Sequence, residues 1–306
     1  MGVAPVIKNL IRDPKGALEH FCSHHLPGVA GDRMYLKRAY KKRFGRRLNL
    51  RKPKLFTEKM QWLKLYDRNP LYTRLADKYE VREYIAGIAG GDYLIPLIGL
   101  WDSFEEINTA DLPEQFVLKC THDSGGLIIC TDKKEFDAVA AKAFFKRRLE
   151  DNIYWVNREF CYKNIKPRII CEEYKVDESG VELKDYKVYC FNGIPKYILV
   201  IFNRFNGLRK NVYDAGWEFI PVALTDPFDD TVTFDRPAAF DEMLCVASKL
   251  AKDIPFVRVD FYIADKRLYV GELTFYPNGG HTRFKPPEYD AIFGACLTLP
   301  GKRRLS

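Results

Sequence analysis

Residues 256–281 read FVRVDFYIADKRLYVGELTFYPNGGH. Val, Phe, Tyr and Ile dominate both arms and the polar ADKR stretch between them is a turn, so the segment predicts two antiparallel strands. Side chains alternate faces along a strand. Val257, Val259, Phe261 and Ile263 therefore share one face of the first arm, and Arg258, Asp260 and Tyr262 the other. On the second arm Glu272 and Thr274 share a face with Val270. A loop of odd length, for instance Asp265 to Arg267, sets Asp260 across from Glu272 and Arg258 across from Thr274, whereas an even loop separates them.

Two opposed carboxylates with Cβ atoms roughly 5 Å apart repel each other unless something positive sits between them. A divalent cation meets that need, and hard oxygen ligands on neighbouring strands suit magnesium, which usually shares its shell with substrate phosphates. The competing reading is a solvent-facing hairpin whose charges never meet. The hairpin alone leaves both open.

The chain has 306 residues, 47% of them hydrophobic and 29% charged, enough for a globular protein of two or three subdomains. Its eight cysteines are scattered singly with no CxxC pair, which favours a reduced, cytoplasmic setting. The opening MGVAPVIKNLIRDPKG carries charge at Lys8, Arg12 and Asp13, unlike a signal peptide, and Val6 stands where a myristoylation signal has Ser or Thr. The longest strongly apolar run, YILVIF at 197–202, is too short for a membrane span.

Net charge is +8, and the excess gathers in KRAYKKRFGRRLNLRKPK, Lys37 to Lys54. That block fits a nucleic acid, an anionic membrane surface, an anionic sugar polymer or nucleotide-linked substrate, or simply a solvated helix face. No nucleic-acid module accompanies it, so sequence-specific binding is not expected. Peripheral attachment at the inner face of a membrane through this region stays open.

Residues 1–90 read mainly helical, with a capping signal at Thr57 ahead of Met60, Leu63 and Leu65. After Gly90 come the strand candidates YLIPLIGLW and QFVLKC, then a glycine turn in CTHDSGGLIIC, a helix from Phe136 to Leu149, and the strand PRIICEEYK. DYKVYCF and KYILVIF flank an Asn-Gly turn extended by Ile194 and Pro195, and FDEMLCVASKLAKDI is an amphipathic helix. Clustered helices followed by sheets define an α+β protein.

In QFVLKCTHDSGG a lysine ends an apolar strand and Ser124, Gly125 and Gly126 form a small turn, a pattern that puts a cation and backbone N–H groups around phosphate oxygens. The chain has neither GxxxxGK[ST] nor GxGxxG at a strand-to-helix junction, so P-loop and Rossmann sites are not indicated. Glu172, Glu173 and Tyr174 leave a buried strand, where backbone groups and an aromatic wall suit a purine, or where charges merely mark a strand end. DYKVYCF places Asp185, Lys187 and Tyr189 on one face, with Arg204 and Asn211 downstream. Cations converging opposite two metal-binding carboxylates build a phosphoryl-transfer site, where catalysis is mostly positioning and charge neutralisation.

In their order these pieces resemble the ATP-grasp superfamily. DKYEVREYI, LPEQFVLKCTHDSGG, REFCYKNIKPRIICEEY, DYKVYCFNG and GELTFYPNGG are similar to the TupA-like branch, typified by the teichuronopeptide-biosynthesis ligase, over roughly residues 53 to 300. The resemblance implies two α+β subdomains gripping ATP, 76–175 with the glycine loop and adenine hinge and 176–306 with the metal-binding hairpin. A helical, basic region 1–75 would bind the acceptor. It further implies Lys78 and Lys119 as phosphate-binding lysines, Ser124 to Gly126 as the loop over the phosphates, and Glu172, Glu173, Tyr174 and Lys175 as the adenine hinge. Asp185 becomes a ribose candidate. Lys187, Arg204 and Arg258 stand near the transferring phosphate and the reacting carboxyl, and Asp260 and Glu272 bind Mg2+.

Two features depart from the superfamily pattern. Thr274 stands where members commonly carry Asn two positions after the metal-binding Glu, so Asn278 or water would complete the shell. The basic helical region replaces the usual N-terminal α/β substrate domain. What the resemblance implies for activity is an ATP-dependent carboxylate–amine ligase forming an amide, with a uronic acid or acidic amino acid of a surface polysaccharide or its precursor as acceptor and an amine or amino acid as donor. His122 and His281 lie beside the loop and the hairpin as candidate proton acceptors or structural histidines. The rival readings are a phosphotransferase on the same ATP site, a glycosyltransferase, for which no DxD-like site or Rossmann half is found, and a polyanion-binding module without ATP affinity.

Overall fold

The computed structural model describes residues 28–180, 182–202 and 207–301. The expectations for the opening residues and for Arg204 lie outside this range. The chain begins with helices α1 (Val29–Phe44), α2 (Phe56–Tyr66), α3 (Leu71–Ala76) and α4 (Val81–Ile88). Thr57 does not cap α2. The Glu58 carboxylate accepts from Lys54 N at 3.0 Å and Leu55 N at 3.2 Å, satisfying N–H groups at the helix start. Thr57 lies inside the helix, where its N–H and hydroxyl both donate to Asp290, at 2.9 and 2.8 Å. That contact ties α2 to α8 (Tyr289–Cys296).

Two antiparallel sheets follow. The smaller has the order β1 (Leu97–Trp101), β4 (Ile169–Glu173), β2 (Phe116–Cys120), β3 (Leu127–Cys130), and α5 (Ala138–Glu150) packs its Ala141 and Phe145 into that sheet's core. The larger runs β11 (Arg267–Thr274), β10 (Phe256–Ala264), β5 (Asp185–Phe191), β6 (Ile194–Phe202), β7 (Arg209–Asp214), β8 (Phe219–Ile220). Helix α7 (Phe240–Leu250) covers it with Phe240, Met243, Val246 and Leu250. A short ladder, β9 (Ala223–Leu224) with β12 (Phe284–Lys285), completes an α+β chain. The N-terminal helices share the large sheet's core. Phe56 meets Phe256 at 5.1 Å and Phe191 at 6.0 Å between ring centroids, and Leu36, Tyr40, Met60 and Leu63 are buried in the same cluster.

The decisive hairpin pairs Arg258 with Thr274 and Asp260 with Glu272, but by another route than an odd loop. Ala264 pairs with Arg267, so the connection is the two-residue turn Asp265-Lys266, with φ of 52° and 60° as a type I′ turn requires. The register then slips between Asp260 and Phe261, because Gly271 is an extra residue on β11. An even loop plus one bulge restores the parity of an odd loop. The bulge also corrects the face of Val270, which pairs with Phe261 in the core while Glu272 joins Asp260 on the opposite side. Glycine is required at the bulge because a Cβ there would stand 2.5 Å from Tyr262 Cε2. A second correction is of the same kind. Asn192-Gly193 forms a plain two-residue turn, with Phe191 against Ile194, so Ile194 and Pro195 belong to β6 rather than to the loop.

Candidate active site

Three strands lay out the chemistry in rows. Lys187 on β5, Asp260 on β10 and Glu272 on β11 are successive register partners, and Tyr189, Arg258 and Thr274 form the adjoining row. Arg258 Nε and Nη2 each donate to Asp260 at 2.6 Å, and Nη2 also reaches Thr274 Oγ1 at 3.0 Å and Glu272 Oε1 at 3.3 Å. Lys187 Nζ donates to Asp260 Oδ2 and, at 3.2 Å, to Asp185 Oδ1. Asp260 is fully buried, a charge tolerable there only because two cations share it. Burial lowers the Arg258 pKa, but Asp260 and Glu272 outweigh it and leave the guanidinium more firmly protonated than usual.

Glu272 is the open member of the pair. Its side chain is 36% exposed, Oε1 accepts from Thr274 Oγ1 at 2.8 Å, and Oε2 has no hydrogen-bond partner among the described residues. Burial pushes its carboxyl pKa up. Lys78, Lys187 and Arg258, with the Thr274 hydroxyl, more than reverse this and hold it at about 2. The influence of Lys78 links the two sheets, since it stands just before α4 and its Nζ donates to Asp123 O in the glycine turn.

That turn connects β2 to β3, with Cys120 N donating to Gly126 O at 2.7 Å and Gly125 at a φ of 85°. Asp123 organises it. Oδ1 accepts from Gly126 N at 3.1 Å, while Arg148 on α5 donates from Nε to Asp123 Oδ2 at 2.7 Å and from Nη2 to Ser124 O at 2.8 Å. A Cβ at position 126 would stand 2.3 Å from Asp123 Oδ2, so only glycine lets that carboxylate fold over the turn. Arg148 and Asp123 were not singled out in the sequence. A basic residue in the last turn of a helix carries no sign of its target carboxylate 25 residues upstream.

The segment Glu172–Lys175 bridges the sheets. Glu172, 8% exposed, pairs with Lys119 at 2.5 Å and Arg82 at 2.8 Å, so one phosphate-lysine candidate and one hinge candidate are bound to each other. Lys175 Nζ reaches Glu173 at 3.1 Å and Asp265, in the turn of the β10–β11 hairpin, at 3.4 Å. Tyr174 lines a separate shallow pocket with Ile98 and Pro113. Asp185 is buried against Lys187.

A cavity of 660 Å³ separates the loop from the hairpin, within the size range of small-molecule sites. Asp123, Ser124 and Arg148 line one side, and Arg258, Glu272 and Thr274 the other. Trp155 and Asn157 of α6 (Ile153–Asn157), together with Asn278, close one end. Lys119, Lys187, Asp260 and the 172–175 segment do not line it. Asn278, at a φ of 54°, donates to Thr282 Oγ1 at 3.3 Å. Lys64, also missed in the sequence, is fully buried and donates to Asn157 O at 2.8 Å and Gly279 O at 2.6 Å, joining α6 to the PNGG turn beneath the cavity.

Neither histidine lines this cavity. His122 is 2% exposed with Nε2 3.1 Å from Arg148 O, and burial lowers its pKa. His281 stacks on Phe44 at 6.1 Å, and burial first, then Lys64 and Arg43, push its pKa down to about 3. The unfolded chain binds a proton at His281 below pH ~6.5 while the folded chain does not, so stability contributed by the neutral ring is lost as pH falls from ~6.5 toward 3. Proton NMR of the His281 ring should show no titration step between pH 5 and 8. A midpoint near 6.5 would contradict the buried placement.

Carboxylate and hydroxyl oxygens of Asp260, Glu272 and Thr274 are the donor type a hard divalent cation takes. Both Asp260 oxygens are held by Arg258 and Lys187, so Glu272 Oε2 is the oxygen free to meet a cation first, and Asp260 would join only by giving up a cationic partner. Among the described residues no group of three or more His, Cys, Asp or Glu side chains converges as a metal site, so substrate oxygens or water would supply the rest of the shell. No described helix is long and apolar enough to cross a membrane.

A family profile described as TupA-like ATPgrasp matches residues 58–298, and the chain belongs to that family. No curated protein sequence matches it. Among solved structures it is similar to D-alanine–D-alanine ligase from Helicobacter pylori, at 15% identity and a TM-score of 0.40, covering 75% of this chain and 60% of that one. It is similar also to the ATP-grasp ligase PsnB complexed with minimal precursor, at 11% identity and a TM-score of 0.40, over 78% of this chain and 69% of that one. PsnB with a phosphomimetic precursor variant, Mg and ADP matches at 11% identity and a TM-score of 0.40, over 72% of this chain and 58% of that one. This chain thus spans less than two thirds of the length of the Helicobacter enzyme.

Proposed function

We propose that this protein is an ATP-dependent carboxylate–amine ligase. The carboxylate substrate is a uronic acid or acidic amino acid of a surface polysaccharide, such as a capsule, teichuronopeptide or O-antigen, or of its nucleotide- or lipid-linked precursor. The observation that carries this reading is the cavity between the Ser124 turn and the Arg258–Glu272–Thr274 face, with Asp260 and Lys187 directly behind it. The transferring phosphate of ATP enters that cavity and the rest of the nucleotide extends beyond it toward the Glu172–Lys175 segment, with residues 76–175 and 176–306 as the two halves of the grip and residues 1–75 on the acceptor side.

A carboxylate oxygen attacks the γ-phosphorus, the bond to the β-γ bridging oxygen breaks, and ADP leaves. An amine then attacks the acyl-phosphate carbon, inorganic phosphate departs with the bonding pair, and the amine proton passes to phosphate or solvent. Glu272 and, once released from its cations, Asp260 would hold Mg2+, which would neutralise phosphate charge. Lys187, already within reach of Asp260, exchanges that carboxylate for the transferring phosphoryl group, and Arg258 steadies the carboxyl undergoing attack. Lys78 and Lys119 hold phosphate oxygens, and the Ser124–Gly126 turn shields the acyl phosphate from water. The hinge from Glu172 to Lys175 meets adenine, Asp185 the ribose, and Thr274 or Asn278 completes the metal shell.

The test is a matrix of uronic acids and acidic amino acids against amines, read by ADP release and by mass spectrometry of the product. ADP release that needs both partners and yields an amide is expected. A stable phosphorylated product formed without any amine would replace the ligase reading with a phosphotransferase.

A further inference from the structure

The cavity between the loop and the hairpin does not end at Asn157 and Asn278. On their far side a second cavity, of 510 Å³, shares both residues and is walled by Lys42, Arg43 and Arg283. A third, of 660 Å³, shares Lys42 and continues along α1 past Lys37, Lys41 and Arg47. Lys37 and Lys41 stand four residues apart on this helix, so they project from one face a turn apart. The three cavities are thus neighbours in turn, the first two sharing Asn157 and Asn278 and the last two sharing Lys42, from the Glu272 carboxylate round α1 to its far flank.

The charge along this track differs from that in the catalytic cleft. Lys119, Arg148, Lys187 and Arg258 are each ion-paired to a carboxylate. Lys37, Lys41, Lys42, Arg43, Arg47 and Arg283 make no ion pair among the described residues, and all six are exposed. Six unneutralised cations lining a groove repel one another, and a bound polyanion removes that repulsion. Concavities that follow one another from the catalytic cavity round α1 favour a flexible strand over a planar membrane surface. Trp155, 51% exposed on the wall of the catalytic cavity, offers an apolar face of the kind that accepts a pyranose ring.

We propose that the joined cavities from Asn278 along α1 form an acceptor track for a linear acidic oligosaccharide, whose terminal carboxylate enters the catalytic cavity past Asn157 while upstream carboxylates meet Arg43, Lys42 and then Lys41 and Lys37. This rests on the ligase reading for the fate of that terminal carboxylate, but not for binding. The track makes affinity depend on acceptor length, because a single uronic acid reaches the catalytic end only.

The test uses the full chain and oligogalacturonates of increasing length, the dimer, tetramer and octamer, titrated by calorimetry at low and high salt. Affinity should rise with each length and fall with salt. K37E/K41E should weaken octamer binding by about tenfold or more and leave the dimer unaffected, while K42E/R43E weakens both. Thermal stabilisation by MgATP should be unchanged in both variants, which shows that they fold. Equal affinity for dimer and octamer, or octamer binding insensitive to both double reversals, would overturn the track. Poly-glutamate of matched charge binding as tightly as the octamer would overturn its assignment to a sugar chain, and anionic vesicles outcompeting the octamer would overturn it in favour of a membrane surface. Loss of MgATP stabilisation in the unmodified protein strikes the ligase reading instead, since acceptor binding is measured without nucleotide.

Discussion

Glu272→Gln should lower ATP turnover by on the order of a thousandfold while leaving the protein folded. The expectation follows from how its carboxylate is held. Oε1 is fixed by Thr274 and Arg258, and Oε2, without a partner among the described residues, belongs to a side chain that lines the cavity, so the substitution removes a full negative charge from the proposed contact to Mg2+. The shape is kept and the Thr274 hydroxyl still finds an acceptor. The thermal midpoint at neutral pH should fall modestly without nucleotide, because the attraction of the carboxylate to Lys78, Lys187 and Arg258 is lost, whereas the added stabilisation by MgATP should largely vanish. The same carboxylate sets an acid limit. Its folded pKa of about 2 lies below the ordinary value of 4.5, so its stabilising contribution is complete above pH ~5 and is lost as pH falls from there toward 2. The acid-unfolding profile of Glu272→Gln should be flatter over that window. Turnover within a few fold of the unmodified protein would remove Glu272 from the metal shell and with it the reading of this hairpin.

The hairpin shows how far local pattern reaches. Alternation put Arg258 and Asp260 on one face of the first arm and Glu272 with Thr274 on one face of the second, and left their pairing to an odd loop. The pairing is there, yet the loop is even and a bulge at Gly271 supplies the missing residue. Bulges are set by what the neighbouring strand presents, here the Tyr262 ring, and no period-2 rule anticipates them. The same limit applies to Thr57, which has a cap's composition but is taken by Asp290, 233 residues away. Arg148, Arg82 and Lys64 were invisible for a related reason. Each is defined by a partner distant in the chain, Asp123, Glu172 or the Gly279 carbonyl, and side-chain type alone does not name that partner. What could be read were features written in a short window: the Asn-Gly turn, the glycine loop behind Lys119, and the run of motifs whose resemblance to the family the profile match over residues 58–298 bears out.

Asp260→Ala should behave in the opposite way to Glu272→Gln, destabilising the fold as well as stopping catalysis. Its carboxylate is fully buried between Arg258 and Lys187, whose side chains are only 12% and 13% exposed. Removing it strands two neighbouring cations in a poorly solvated row, with Asp185 at 3.2 Å left to serve Lys187 and the partly exposed Glu272 left to serve Arg258. Breaking a buried ion cluster from one side costs about 3–5 kcal/mol, and these remaining partners place the expected loss toward the lower end. Urea unfolding should show a lowered midpoint at unchanged slope. A compensated variant, Asp260→Leu with Arg258→Met and Lys187→Met, separates the two roles of the row. With every charge removed and apolar bulk in place, most of the stability should return, because the row's cost is desolvation that an apolar replacement avoids. ATP turnover should stay absent, because the cations proposed to neutralise phosphate are gone too. If Asp260→Ala unfolds within about 0.5 kcal/mol of the unmodified protein, Arg258 and Lys187 have other counter-charges and the three strands do not share one electrostatic unit.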